Sequence, residues 1–117
     1  MRIKVKSDNV ISIGDPTTPA GTGGLRDAIT GSYVNDATVT LIELLDKRTR
    51  TRVTGFTPPL ALAYVAASNG VYSGTLESAI CDNLIGGREY EGEILAVQGS
   101  TVRSFFLSAF AERDDTL

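Results

Sequence analysis

Five aspartates are the residues of this 117-residue chain best suited to chemistry: Asp15, Asp27, Asp36, Asp46 and Asp82. Paired carboxyls can act as general acid and base, and several converging carboxylates can hold calcium. Each of these five, however, falls at or near a corner predicted from Gly, Pro, Asn, Thr or Lys. Aspartate is favoured at such corners because its side chain bonds its own backbone. No spacing matches the calcium loop with its fixed glycine and terminal glutamate. The pair Asn35-Asp36 poses the same choice, set directly against the alternating run "ATVTLIELL", and it reads as the corner before a strand.

Other routes to catalysis lack their parts. The chain has no histidine, which removes the commonest general base and transition-metal ligand. Its one cysteine, Cys81, follows Ala79 and Ile80 and is expected to be a buried small hydrophobe, with no intrachain disulfide open to it. "GTGG" at residues 21–24 has neither the strand–turn–helix context nor the Lys-Ser/Thr of a phosphate loop. The sequence predicts no enzyme and no cofactor.

Three groups of residues remain as candidates for binding a partner. "KRTRTR" gathers Lys47, Arg48, Arg50 and Arg52 on one predicted hairpin. Arg2, Lys4 and Lys6 share one face of a predicted first strand, and Glu89, Glu91 and Glu93 share one face of a later strand. As neighbours these faces would pair; on opposite edges they would suit docking between copies. "SFFLSAFA" is apolar on both faces, with Phe105, Leu107 and Ala109 on one and Phe106 and Phe110 on the other. One set belongs in the core; the other, taken as Phe106 and Phe110, packs under a loop or meets a partner.

The elements that must position these groups are all strands. "RIKVK" alternates, "SDN" turns, and "VISI" is extended again. Residues 14–24, rich in Gly, Pro and Thr, read as a long exposed loop. "LRDAITG" reads as a strand end and turn. "YVNDATVTLIELL" follows as a strand, and apolar residues on both faces from Leu41 onward predict a β-bulge or two-sided burial there. A charged hairpin, the break "TPPL", and the strand "ALAYVA" lead to Asn69-Gly70, the strongest local hairpin signal. Tyr72 and Leu76 should point to the core. "LIGGREY", "YEGEILAV" and "VRSFFLSAFA" supply a turn and two more strands, and residues 112–117 read as a frayed tail. The expected fold is all-β, an immunoglobulin-like antiparallel β-sandwich of seven to eight strands in a single domain over 1–117.

Composition bounds the partners. About two fifths of the residues are apolar, enough for an ordinary core. Fourteen acids against eleven bases give a net charge of −3, too mild to draw in DNA or anionic membranes by bulk charge. "KRTRTR" also lacks interleaved aromatics, which argues against nucleic acid. The longest uncharged apolar stretch, "PPLALAYVAASNG", is too short to span a bilayer, and no signal peptide opens the chain.

Three stretches taken together, "LRDAITGSYVNDATVTL", "PLALAYVAASNGVYSGTL" and the Leu84–Ala96 pattern L-x-x-G-x-x-Y-x-x-x-I-x-A, resemble small β-sandwich virion proteins of tailed bacteriophages. The same order of polar corner, ATVT strand, charged hairpin and G-x-Y hairpin is similar to the N-terminal anchoring domain of phage baseplate upper proteins. The resemblance runs from about Leu25 to Ala111. It departs where "KRTRT" replaces the usual hairpin glycine and where the loop at 14–24 is long. It implies a non-enzymatic virion protein that decorates the capsid surface, with the major capsid protein or other virion proteins as partners and self-association on the particle. The alternatives are an adaptor at the head–tail junction, tail or baseplate, and a carbohydrate- or host-surface-binding module. The absence of Trp weighs against the last.

Overall fold

The computed structural model describes residues 1–14 and 23–112. Most of the expected loop at 14–24, including Asp15, and all of the expected tail beyond Glu112 lie outside the described residues. Seven strands and one helical turn follow in order: β1 (Arg2–Lys4), β2 (Asn9–Ile13), β3 (Thr38–Asp46), β4 (Leu60–Tyr64), β5 (Tyr72–Leu76), α1 (Ser78–Cys81), β6 (Glu89–Gln98) and β7 (Thr101–Glu112). The protein is all-β.

The strands hydrogen-bond in one continuous order, β1-β7-β6-β3-β4-β5-β2. That corrects the expectation of an antiparallel immunoglobulin-like sandwich in two respects. β1 runs parallel to β7, and the chain does not separate into two sheets. β4 carries the order round the corner: its Leu60–Leu62 half pairs with β3, while Ala63 and Tyr64 pair with β5.

A linear order has two edges, here β1 and β2, yet only residues 5–8 separate them in sequence. That connection spans no more than about 18 Å, so the sheet must curl until its edges meet. The result is a flattened, nearly closed barrel with Cα extents of 47 × 29 × 18 Å. Both edges send a fully buried side chain inward, Ile3 from β1 and Ile11 from β2, into one core with Leu41, Leu44, Leu76 and Ile94.

Local chemistry accounts for the elements. β6 alternates strictly, with Tyr90, Gly92, Ile94 and Ala96 buried, the period of a strand with one face on a core. β3 begins the same way, then shifts register between Leu41 and Glu43. This is the expected bulge, and it brings Leu44 back inward. Tyr72 and Leu76 are buried as expected. The hairpin before β5 turns on Ala67 and Gly70, at φ 60° and 69°, rather than on Asn69-Gly70 as a pair. Gly70 lies so close to the Leu25 backbone that a Cβ there would overlap it. The helical turn α1 has no counterpart in the sequence reading; it is too short to show a helical period, and it seats Cys81 in the core.

Candidate interaction surface

The basic hairpin after β3 is built around Asp46. Its Oδ1 accepts the Arg48 backbone N–H at 2.8 Å, and its Oδ2 accepts Arg88 Nη1 at 2.9 Å. Burial works to raise the pKa of this carboxyl, but the Arg88 guanidinium and the Arg48 and Thr49 N–H groups outweigh it and hold it below the usual range. Arg50 closes the turn at φ 59°, the left-handed conformation that glycine adopts at least cost.

The turn aims its cations back at the molecule's own acids. Lys47 Nζ donates to Ser108 Oγ at 2.7 Å and lies 3.5 Å from Glu89. Arg50 Nη1 lies 3.6 Å from Glu91. Arg52 grips Glu43 with both prongs, Nε to Oε1 at 2.8 Å and Nη2 to Oε2 at 2.9 Å. The Arg52 bond is the main reason Glu43 titrates below its ordinary value. "KRTRTR" is therefore largely neutralised within the protein by β3 and β6.

The charged faces expected to pair or to oppose each other do neither. β7 stands between β1 and β6, so Arg2, Lys4 and Lys6 never meet Glu89, Glu91 and Glu93 across a ladder. β1 also ends at Lys4, and Lys6 sits in the connection at φ 64°, so the three cations do not share one strand face. Arg2 lies 3.6 Å from Glu112 and 6.0 Å from the ring centre of Phe110. Lys4 is exposed.

β7 divides its two faces as the sequence required. Ala109 and Ala111 are buried, and Phe105 and Leu107 are half-buried against the core. The other parity faces outward: Val102 is 59 % exposed, Phe106 67 % and Phe110 40 %. Phe106 and Phe110 are expected from the sequence; Val102, of the same parity, joins them only in the structure. These three make an apolar stripe along one long strand, with Ser104 and Ser108 between them.

The candidate acids are corner residues where the structure describes them. Asp27 Oδ1 accepts the Ile29 and Thr30 N–H groups at 2.8 and 3.0 Å, and the Thr30 and Ile29 bonds lower its pKa. Asn35 Oδ1 accepts the Gly70 N–H at 2.8 Å, tying the corner before β3 to the hairpin before β5. Asp36 accepts a bond from Gln98 Nε2 at 2.6 Å, and Asp82 caps α1. No group of three or more His, Cys, Asp or Glu among the described residues could hold a metal ion. Cys81 is fully buried, and burial pushes its thiol pKa up against a bond from Asn9 Nδ2 at 3.2 Å. Asn9, Asn35 and Arg88 carry structural bonds that no local sequence signal announced, because each partner lies far away in the chain or in a turn.

Stacking surfaces for a glycan are few. Tyr72 and Tyr90 are buried, and Tyr64 packs 5.6 Å from Tyr72 and donates to the Ser68 carbonyl. The face of Tyr33 is covered by the Arg26 guanidinium at 4.4 Å. No helix among the described residues is long and apolar enough to cross a membrane.

Compared with known proteins, the chain matches no family model, no curated protein and no solved structure.

Proposed function

We propose that this is a non-enzymatic structural protein that works by docking through the outer face of β7. Following the resemblance of its strand and turn pattern, we place it on the capsid surface of a tailed-phage virion as a decoration protein. The observation that carries the docking surface is the outward stripe Val102, Phe106 and Phe110 on a strand whose other face is core. Covering an exposed Phe or Val gains about 1.5–3 kcal/mol per side chain, which is weak for one copy. Many copies on a lattice add such contacts, so avidity replaces single-site affinity. With Lys47, Arg50 and Arg52 engaged internally, the apolar stripe is a better-supported contact than the basic hairpin.

The test is co-sedimentation with purified particles, together with a copy count by quantitative mass spectrometry. The reading expects a copy number approaching that of the major capsid protein. It also expects Phe106→Ser/Phe110→Ser protein to fold normally but stay in the supernatant. A ring's worth of copies would move the protein to the connector or tail. Absence from particles would remove the virion placement, and undiminished binding by the double variant would remove β7 as the contact.

A further inference from the structure

β7 is twelve residues long, but its outer neighbour β1 covers only Phe110–Glu112. Two further bonds extend that contact, from Phe110 N–H to the Met1 carbonyl and from the Met1 ammonium to the Ser108 carbonyl, both 3.0 Å. They also fix the parity of the strand. Phe110 and Ser108 turn their backbone groups toward β1, so the odd residues face β6, and Val102, Ser104 and Phe106 face away from β6. No described residue bonds those three sets of backbone groups on that side. Among the described residues Thr101–Leu107 is an open sheet edge, with no proline or lysine in it and Arg103 as its one charged residue.

We infer that this edge pairs antiparallel with the same edge of a second copy, about a two-fold axis at Ser104, joining two barrels through β7. The strand selects that register. With Ser104 opposite Ser104 of the second copy, Val102 faces Phe106 in both directions, and every open N–H and C=O on the three residues finds a partner. Shifting the axis to Arg103 would set two arginines directly opposite each other, which is unfavourable. Shifting it the other way would bring Val102 opposite Ser108, whose carbonyl is already taken by Met1. On the inner face the chosen register brings Arg103 against Phe105 of the second copy. That contact covers Phe105, which the open edge leaves only half-buried.

The pairing rests on the edge alone and does not depend on what the outer face docks against. In the dimer, Val102, Phe106 and Phe110 of both copies would line one continuous surface.

The test is made in solution without particles. Sedimentation equilibrium of the 117-residue chain should show a mass rising with concentration toward twice that of the monomer. Ser104→Pro removes an N–H that points away from β6, and should leave the protein folded and monomeric. Ser104→Lys sets like charges across the axis and should do the same, which keeps the test decisive if the proline variant fails to fold. Under mild oxidation Ser104→Cys should form covalent dimers roughly tenfold or more faster than Val102→Cys. Only the former brings the two introduced thiols opposite each other within disulfide reach, and buried Cys81 does not compete. A wild-type chain that stays monomeric at every concentration would overturn the inference. So would folded Ser104→Lys protein that dimerises like wild type, or equal crosslinking from positions 102 and 104. Undiminished particle binding by the Phe106→Ser/Phe110→Ser protein would count against the docking surface and leave the edge pairing standing.

Discussion

Asn9 holds both backbone groups of Lys4 through its side-chain amide: Oδ1 accepts the Lys4 N–H and Nδ2 donates to the Lys4 carbonyl, each at 2.9 Å. One side chain thus supplies a rung between β1 and β2, the two edges that the curled sheet brings together. The same Nδ2 reaches the Ser7 carbonyl at 2.9 Å and Cys81 Sγ at 3.2 Å. Replacing Asn9 with Ala should cost about 1–3 kcal/mol, the usual penalty for stranding buried or half-buried polar partners. Asn9→Asp should not rescue it, because a carboxylate cannot donate to the Lys4 carbonyl. Denaturant unfolding of both variants checks this. A loss below about 0.5 kcal/mol, the range of neutral surface changes, would show that the seam is held elsewhere.

Acid should weaken the protein through its paired carboxylates. Glu43 is lowered chiefly by its bonds from Arg52, and Asp27 by the Thr30 and Ile29 N–H groups. A carboxyl lowered on folding contributes stability that is fully present above its unfolded pKa near 4 and is lost as pH falls through the folded value. The melting temperature should therefore hold from neutral pH down to about 5 and fall below about 4. Glu43→Gln should flatten part of that acid limb while changing neutral-pH stability little, since the pair is half-exposed and screened.

The Arg88–Asp46 pair is a firmer contributor, because the Asp46 side chain is only 10 % exposed. Asp46 also fixes the turn through the Arg48 N–H. Asp46→Ala should cost about 1–3 kcal/mol and loosen the hairpin that carries Lys47, Arg50 and Arg52. Arg88→Gln should cost less, because the turn bonds survive it. Equal losses would mean that the ion pair, and not the turn, accounts for the role of Asp46.

Cys81 should resist thiol reagents in the native protein. It is fully buried, burial raises its pKa, and both disfavour the reactive thiolate. Labelling should follow unfolding, accelerating with denaturant in step with the loss of structure. Rapid modification of folded protein would mean that α1 opens independently of the barrel.

The hairpin before β5 offers opposite substitutions three residues apart. Gly70→Ala should destabilise by about 1–3 kcal/mol, because the residue holds a positive φ and its added Cβ would meet Leu25. Ala67→Gly should be neutral or stabilising by up to about 1 kcal/mol, since φ 60° is strained for alanine. Thermal melts of the two variants read the contrast directly.

Much of this was legible in the chain. β-Alternation located the strands, because a side chain on a pleated strand reports its face by parity alone. It buried Tyr72 and Leu76, turned Phe106 and Phe110 outward, and placed a bulge after Leu41. The corner position of Asn35-Asp36 was also legible from residue type, but the bonds that hold it, from the Gly70 N–H and the Gln98 amide, come from distant parts of the chain. The helical turn at Ser78–Cys81 was not legible, since four residues are too few to express a period of 3.6.

Strand neighbours lay beyond local reading. Which cations meet which acids depends on sheet order, so Lys47 and Arg50 met Glu89 and Glu91, while Arg2 met Glu112. Nothing near Arg2 or Glu89 records that β7 lies between their strands. The bonds between Asn9 and Lys4 span only the turn at residues 5–8, but the reach of Asn9 to Cys81 depends on how α1 packs against that turn.

The sequence by itself determined the all-β class, the two faces of β7 and the lack of histidine or paired-thiol chemistry, because residue type and parity are local properties. Only the tertiary structure decided that the basic hairpin is neutralised, that Asn9 joins β2 to β1, and that no described strand covers one edge of β7. Those facts depend on which strands lie side by side, and hydrogen-bonded neighbours are chosen by packing the whole core.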